Sequence, residues 1–296
     1  MESITSVLIG HAASRDFDCH DLYRFVIDNH YALPLGACVA YVLLIFVLLP
    51  LLRPAKSGSV SRNAFAAWNF GLSAFSTIGV VTCVPYIIRV FNSRPDGVWY
   101  LVCSDDMMLG ADRQQSACYG DVGFMMSLFM LSKFPELLDT VFLVWMRKPV
   151  IFLHWYHHIT VLLYSWFAYR VATPTAVFFG TMNYTVHSIM YFYFGASMFT
   201  RSLGFLRQPI TSLQLLQMFF GMCGTAAAYY YTYYDARGCS STYTDSGFFF
   251  YCGAIYFSYF LLFAKLFFDS YISPSSRSGK GETKGRKSAP QSTPLK

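Results

Sequence analysis

His154-Trp155-Tyr156-His157-His158-Ile159-Thr160-Val161-Leu162-Leu163-Tyr164-Ser165-Trp166 opens with three imidazoles and continues as an apolar run. His154, His157 and His158 stand at i, i+3 and i+4, which at roughly 100° per residue places them within about a 100° arc of one helical face. The run Ile159–Trp166 reads as membrane helix. Ionisable groups at membrane depth are costly, turn toward a bundle interior or cavity, and mark functional sites. Taken alone, this face admits a hydrogen-bonded cluster that holds helices together, a metal site, or metal-free catalysis.

The surrounding chain decides the fold class. Its 296 residues are 55% hydrophobic, 19% aromatic and 13% charged, against about 25% charged for a soluble domain. Apolar stretches run over Leu33–Leu52, Ala64–Ile88, Val122–Met146, Ile151–Tyr169, Thr175–Met198, Ile210–Tyr234 and Gly247–Ile272. Each is near or above the ~20 residues a helix needs to cross a bilayer. The expected fold is an all-α polytopic membrane protein with seven transmembrane helices. Residues 1–32 form an N-terminal segment, 33–272 the membrane domain, and 273–296 a Ser-, Gly-, Lys- and Pro-rich tail expected to be disordered. Connections such as Arg147-Lys148-Pro149 are too short to hold a folded domain, so chemistry must occur within the helix bundle or at its edge. Met1–Tyr31 lacks the basic and apolar regions of a signal peptide, and the cysteines form no C-x-x-C pattern. The sequon Asn183-Tyr184-Thr185 lies in an apolar stretch and is expected to be unused.

Charge sets the orientation. Arg53–Asn63, Arg147–Pro149, Phe199–Pro209 and the segment after Ile272 carry 13 Lys and Arg; the alternate connections carry 6. The positive-inside rule puts the richer set in the cytosol. The N-terminus is then lumenal, the C-terminus cytosolic, and the histidine triad sits at the cytosolic end of the fourth helix. The two longer lumenal connections hold Cys118 and Cys239, which are expected to form a disulfide in an oxidising compartment, with Cys103 as the reserve partner.

Three other apolar stretches carry polar groups. Lys133, Glu136, Asp139 and Thr140 span about 120° of a helical wheel in the third, and three charges in an apolar span need partners. They read equally as a packing ion-pair network or as a substrate-lining face. In the fifth, Asn183, His187, Met190 and Tyr191 share a stripe; in the sixth, Thr211, Gln214 and Gln217 recur at i, i+3 and i+6. Those amides suit interhelical glue or the orienting of a substrate.

With these segments in order, the chain resembles the ELO family of fatty-acid elongases, the membrane-bound 3-ketoacyl-CoA synthases. The resemblance rests on Lys133–Thr140, His154–His158, Asn183–Tyr191 and Thr211–Gln217 and extends over about residues 30–272. Trp155 at the second position of the box is similar to the branch that prefers saturated and monounsaturated acyl-CoAs. The resemblance implies an endoplasmic-reticulum enzyme whose helices two to seven ring an acyl-CoA tunnel. It implies condensation of acyl-CoA with malonyl-CoA to 3-ketoacyl-CoA, CoA and carbon dioxide. No cofactor or metal is expected. Expected partners are the two acyl-CoAs and membrane lipid; 3-ketoacyl-CoA reductase, other enzymes of the elongation cycle and a second copy of the chain are compatible with this reading, and no nucleic acid is expected.

The residue types fit that chemistry. An imidazole attacks a thioester to give an acyl-imidazole, itself a good acyl donor, and no cysteine lies near the box in sequence. His157 is the expected acyl acceptor, faced by His187. His154 and His158 would set its tautomer or donate to a developing enolate oxygen. Glu136, Asp139, Asn183, Tyr191, Gln214 and Gln217 would contact substrate, with Asn183 and Gln214 on the thioester carbonyls. Lys133, with Arg147, Lys148, Arg201 and Arg207, would meet CoA phosphates, although positive-inside bias alone accounts equally for the four arginines and lysines at the rim. Phe178, Phe179, Tyr229–Tyr231 and Phe248–Phe250 would cap the acyl chain or simply pack. Two other classes compete: a di-iron desaturase or hydroxylase, which also uses HxxHH but needs more imidazoles or carboxylates, and a seven-helix receptor or transporter, which would show no turnover.

Overall fold

The computed structural model describes residues 17–29, 31–52, 59–110, 112–113, 116–239, 243 and 247–273. The expected disordered tail, apart from Ser273, and most of the N-terminal segment lie outside them. Among the described residues the chain is helical, with no strand beyond a single bridge between Asp18 and Tyr119. In order the helices are α1 (His20–Asp28), α2 (Ala32–Leu43), α3 (Ser59–Ser93), α4 (Gly97–Cys103), α5 (Asp106–Leu109), α6 (Gly120–Ser132), α7 (Leu138–Trp145), α8 (Phe152–Arg170), α9 (Thr175–Ser197), α10 (Arg207–Tyr233) and α11 (Phe248–Phe267). The α2 helix continues through a π-helical stretch, Leu44–Leu48, into Leu49–Leu52.

Every apolar stretch of the sequence is thus helical. Three runs, Ala32–Leu51, Arg62–Ser93 and Phe248–Ile272, are long and apolar enough to cross a membrane by themselves. The helices between them carry the histidines, amides and charges. The third stretch is not one helix: Pro135 cannot donate to the ladder, and the chain passes through a 3₁₀ turn, Pro135–Leu137, between α6 and α7.

Close helix approach needs small residues. A Cβ on Gly79 of α3 would stand 2.5 Å from the Tyr184 ring of α9, and one on Gly221 of α10 would stand 2.2 Å from the Tyr256 ring of α11. Those tyrosines fill the space the missing side chains leave. Ser73 Oγ adds a bond from α3 to Ser188 O of α9 (2.8 Å). Across α8 and α11, Tyr156 meets Ser258 (3.0 Å), Thr160 meets Tyr259 (2.5 Å), and Tyr164 donates to Cys252 Sγ (3.2 Å).

The expected Cys118–Cys239 disulfide is corrected. Cys19 pairs with Cys118, and Cys103 with Cys239. Backbone contacts give the reason. Cys19 N donates to Cys118 O (3.1 Å) and Gly120 N to Phe17 O (3.0 Å), which lays the N-terminal segment alongside Cys118. Trp99 Nε1 on α4 donates to Gly238 O (3.0 Å), which brings Cys239 to the end of that helix. Non-reducing peptide mapping should recover these two pairs, with Cys38, Cys83, Cys223 and Cys252 as free thiols; a Cys118–Cys239 peptide would contradict the packing of both segments.

Candidate active site

The box forms at the start of α8. Arg147 in the left-handed region (φ 59°) and Pro149 turn the chain out of α7, and Ile151, in extended conformation, hands it to Phe152. His158 is buried, while His154 and His157 are half-buried. The rings of His154 and His158 lie edge to face at 4.5 Å, and those of His157 and His158 at 5.5 Å. On its other side His157 meets the Tyr259 ring of α11 at 5.1 Å.

Two buried carboxylates anchor what surrounds the box. Asp139, 2% exposed, accepts Trp68 Nε1 from α3 on one oxygen (2.7 Å) and Tyr191 OH from α9 on the other (2.9 Å). His158 Nε2 stands 4.0 Å from that second oxygen. Glu136 Oε1 accepts Lys133 Nζ (2.7 Å) and Ser132 Oγ (2.8 Å). Lys133 also lies over the Phe129 ring at 4.1 Å and reaches Asn183 Oδ1 at 3.4 Å. Asn183 Nδ2 in turn donates to His187 Nε2 (3.1 Å), and the His187 ring stands edge-on to Tyr191 at 5.1 Å. Hydrogen bonds thus link Lys133 through Asn183 to His187, and a ring contact joins His187 to Tyr191, which bonds Asp139 beside the box. Burying such charges is costly unless they are paired; here each finds a partner from another turn or another helix. Glu136 Oε2 is the carboxylate oxygen left without a hydrogen bond.

The interior next to His157 is open. A cavity begins at His157, Asn183 and Gln217 and extends along α8 past Val161, Tyr164 and Ser165 to Ala168 and Tyr169. At 1.5 Å per residue, His157 to Ala168 is about 16 Å. The walls are aromatic and methionine-rich, and Met108 of α5 is among the residues that line them.

The expected site residues fare unevenly. Lys133, Glu136, Asp139, Asn183, His187 and Tyr191 converge as described, and Gln217 lines the cavity. Gln214 Nε2 lies 3.2 Å from Met190 Sδ, on the α9 stripe that also carries Asn183 and His187, and Thr211 bonds to Arg207 O. The stripe on α10 is thus split among three neighbourhoods. Arg147 and Arg201 are exposed, while Lys148 and Arg207 are half-buried, all at ends of helices. Of the expected aromatic cap, Phe179 lines the cavity, whereas Tyr229, Tyr230 and Phe250 face outward. Among the described residues, the group of three or more metal-ligating side chains whose ligand atoms all come within 4.8 Å of one another is not the box but Asp18, Cys19, His20 and Cys118; the sulfurs of Cys19 and Cys118 are joined to each other.

Sequence reasoning missed Tyr41, whose OH meets Thr140 Oγ1 at 2.6 Å, as well as Trp68 and Tyr259. Their signal is generic. A buried Tyr or Trp needs a partner for its polar end, but with 22 tyrosines in the chain nothing in the sequence marks which ones reach a functional group.

The sequence matches the family described as ELO: GNS1/SUR4 family over residues 26–279. The chain belongs to the ELO family. It is 37% identical over 257 residues to a "Very long chain fatty acid elongase 4" of Trypanosoma cruzi, covering 84% of this chain and 85% of that one. It is also 37% identical over 269 residues to "Fatty acid elongase 3" of Trypanosoma brucei brucei (84% and 87% covered), and 39% identical over 221 residues to "Very long chain fatty acid elongase 6" of Drosophila melanogaster (74% and 66%). The box and both carboxylates lie within the matched ELO span.

The buried Lys133–Glu136 pair gives this ELO site a stability signature. Lys133→Met alone leaves Glu136 buried and unpaired, which should cost about 3–5 kcal/mol. The double variant Lys133→Met/Glu136→Gln should recover most of that loss. Thermal unfolding in detergent checks the order; a double variant as unstable as the single would place the cost in packing rather than charge.

Proposed function

We propose that this chain is a membrane enzyme of fatty-acid elongation that condenses acyl-CoA with malonyl-CoA. The observation that carries the reading is the apolar cavity that starts at His157 and Asn183 and runs into the bundle, since it suits an acyl chain whose thioester rests at the box. The names of the relatives supply the substrate class. In this reading helices two to seven of the seven apolar stretches enclose an acyl tunnel in the endoplasmic-reticulum membrane. The N-terminus is lumenal, the C-terminus is cytosolic, and the box opens to the cytosol. Lys133, Arg147, Lys148, Arg201 and Arg207 meet CoA phosphates.

The reaction divides into two halves. In the first, a ring nitrogen of neutral His157 attacks the acyl thioester carbonyl. A C–N bond forms, the C–S bond breaks, and CoA thiolate leaves and takes the proton that the imidazole gives up. In the second, the C–C bond to the carboxylate of malonyl-CoA breaks, carbon dioxide departs, and the electron pair stays on the α-carbon as an enolate. That carbon attacks the acyl-imidazole and forms the new C–C bond as the C–N bond breaks; the departing imidazolate takes up one proton from solvent, which restores neutral His157 and leaves 3-ketoacyl-CoA. His187 and Asn183, linked to each other beside the cavity, would hold the carbonyl being attacked, and His158, close to the Asp139 carboxylate, would stabilise the enolate oxygen by donation. Gln217, which lines the cavity, would contact substrate, and Gln214, beside Met190 of the α9 stripe, would help orient a carbonyl.

Labelled acyl-CoA without malonyl-CoA should release CoA and leave an acyl group on the His154–His158 peptide, seen by intact mass and peptide mapping. His157→Ala should abolish both. Normal turnover with no adduct would replace the covalent step by direct attack of the enolate on bound acyl-CoA.

Chain length tests the cavity separately. In this reading Met108, which lines the cavity from α5, forms its floor, so Met108→Ala should add about two carbons to the longest product and Met108→Trp should shorten it, roughly one two-carbon unit being 2.5 Å of extended chain. An unchanged product profile in both variants would move the floor elsewhere.

A further inference from the structure

Thr140 has one hydroxyl proton and two neighbours placed to share it, the buried Tyr41 and the half-buried His154. Its Oγ1 lies 2.6 Å from Tyr41 OH and 2.8 Å from His154 Nε2. The three residues come from three elements: Tyr41 from α2, Thr140 from α7 and His154 from α8. Tyr41 is 2% exposed and Thr140 is fully buried, so water does not compete for either hydroxyl.

The direction of the chain follows from acidity. A phenol ionises near pH 10, several orders of magnitude more readily than an aliphatic alcohol, and is the stronger donor. Tyr41 O–H therefore donates to Thr140 Oγ1, and Thr140 O–H donates onward to His154 Nε2. A ring nitrogen that accepts carries no proton, so the proton of neutral His154 sits on Nδ1. Consecutive donors in a low-dielectric interior strengthen one another. Without the phenol, Thr140 is free to accept instead, and the Nε2–H tautomer of His154 becomes accessible.

We propose that Tyr41 is a positioning residue for the histidine box: acting through Thr140, it holds His154 in the Nδ1–H tautomer with its ring fixed against His158. Its consequence for catalysis rests on reading the box as the catalytic centre. The proposal gives α2 a part in the site, although the expected tunnel is ringed by the later helices only. Outer-shell partners that fix a histidine tautomer are typically worth about 10–100-fold in activity at metal sites, and the lower end suits a group two bonds removed.

The experiment uses the full-length chain in detergent. Tyr41→Phe should lower kcat about tenfold and leave KM for acyl-CoA within about twofold. Thr140→Ser, which keeps the hydroxyl, should retain activity that Thr140→Val loses. Tyr41→Phe/Thr140→Val should be no worse than Thr140→Val alone, because both remove one chain. In parallel, ¹⁵N shifts of the histidine rings in the substrate-free protein, assigned with His154→Gln, should show the Nδ1–H form of His154 in the wild type and a mixture or the Nε2–H form in Tyr41→Phe. A His154 tautomer unchanged by Tyr41→Phe overturns the proposal whatever the activity. A kcat within about twofold of wild type, or losses that add in the double variant, overturns it as well. A wild-type protein that elongates nothing refutes the condensation reading, and the tautomer measurement still decides the role of Tyr41.

Discussion

The Asp139 carboxylate is the group on which the interior depends. A carboxylate out of water is tolerated only when hydrogen bonds and opposite charge replace hydration. Asp139 receives Trp68 from α3 and Tyr191 from α9, and lies next to His158 of α8. Three helices far apart in sequence are thereby committed to one point. The next residue, Thr140, carries the same convergence on to α2 through Tyr41 and to His154. Loss of either neighbour of this pair would leave a buried polar group stranded, so the helices cannot slide or rotate independently.

The break at Pro135 makes this possible. In an unbroken helix Lys133 and Asp139, six residues apart, would mark the two edges of an arc of about 120°. The 3₁₀ turn shifts the phase: Lys133, paired with Glu136, reaches α9 at Asn183, while Asp139 reaches α3 and α9, and Thr140 reaches α2 and the start of α8. Each of the four residues of the expected face is buried, and the turn at Pro135–Leu137 shifts their relative phase. Apolar packing then shapes what remains: Gly79 and Gly221 admit tyrosine rings between helix pairs, and the methionines and aromatics around α8 leave the cavity beyond His157 open.

Composition and hydropathy determined the all-helical class, and helix edges were legible within a few residues because apolar runs end where charge, proline or glycine begins. The box, the Lys133–Thr140 segment and the Asn183–Tyr191 segment were legible too, since polar groups in otherwise apolar helices stand out against their background. What the sequence could not carry was pairing at a distance. Nothing in it separates Cys19 from Cys239 as the partner of Cys118, Gln214 from Gln217 as the amide on the cavity, or Tyr41 from the other tyrosines. Those choices turn on where backbones of different segments meet: the contact of Phe17–Cys19 with Cys118–Gly120, the rotation of α10 that gives Gln214 to Met190, and the approach of α2 to α7. A periodicity reports which face of a helix is polar, because that is local chemistry; which neighbour the face meets is decided by close packing of the whole bundle, and that is a tertiary fact.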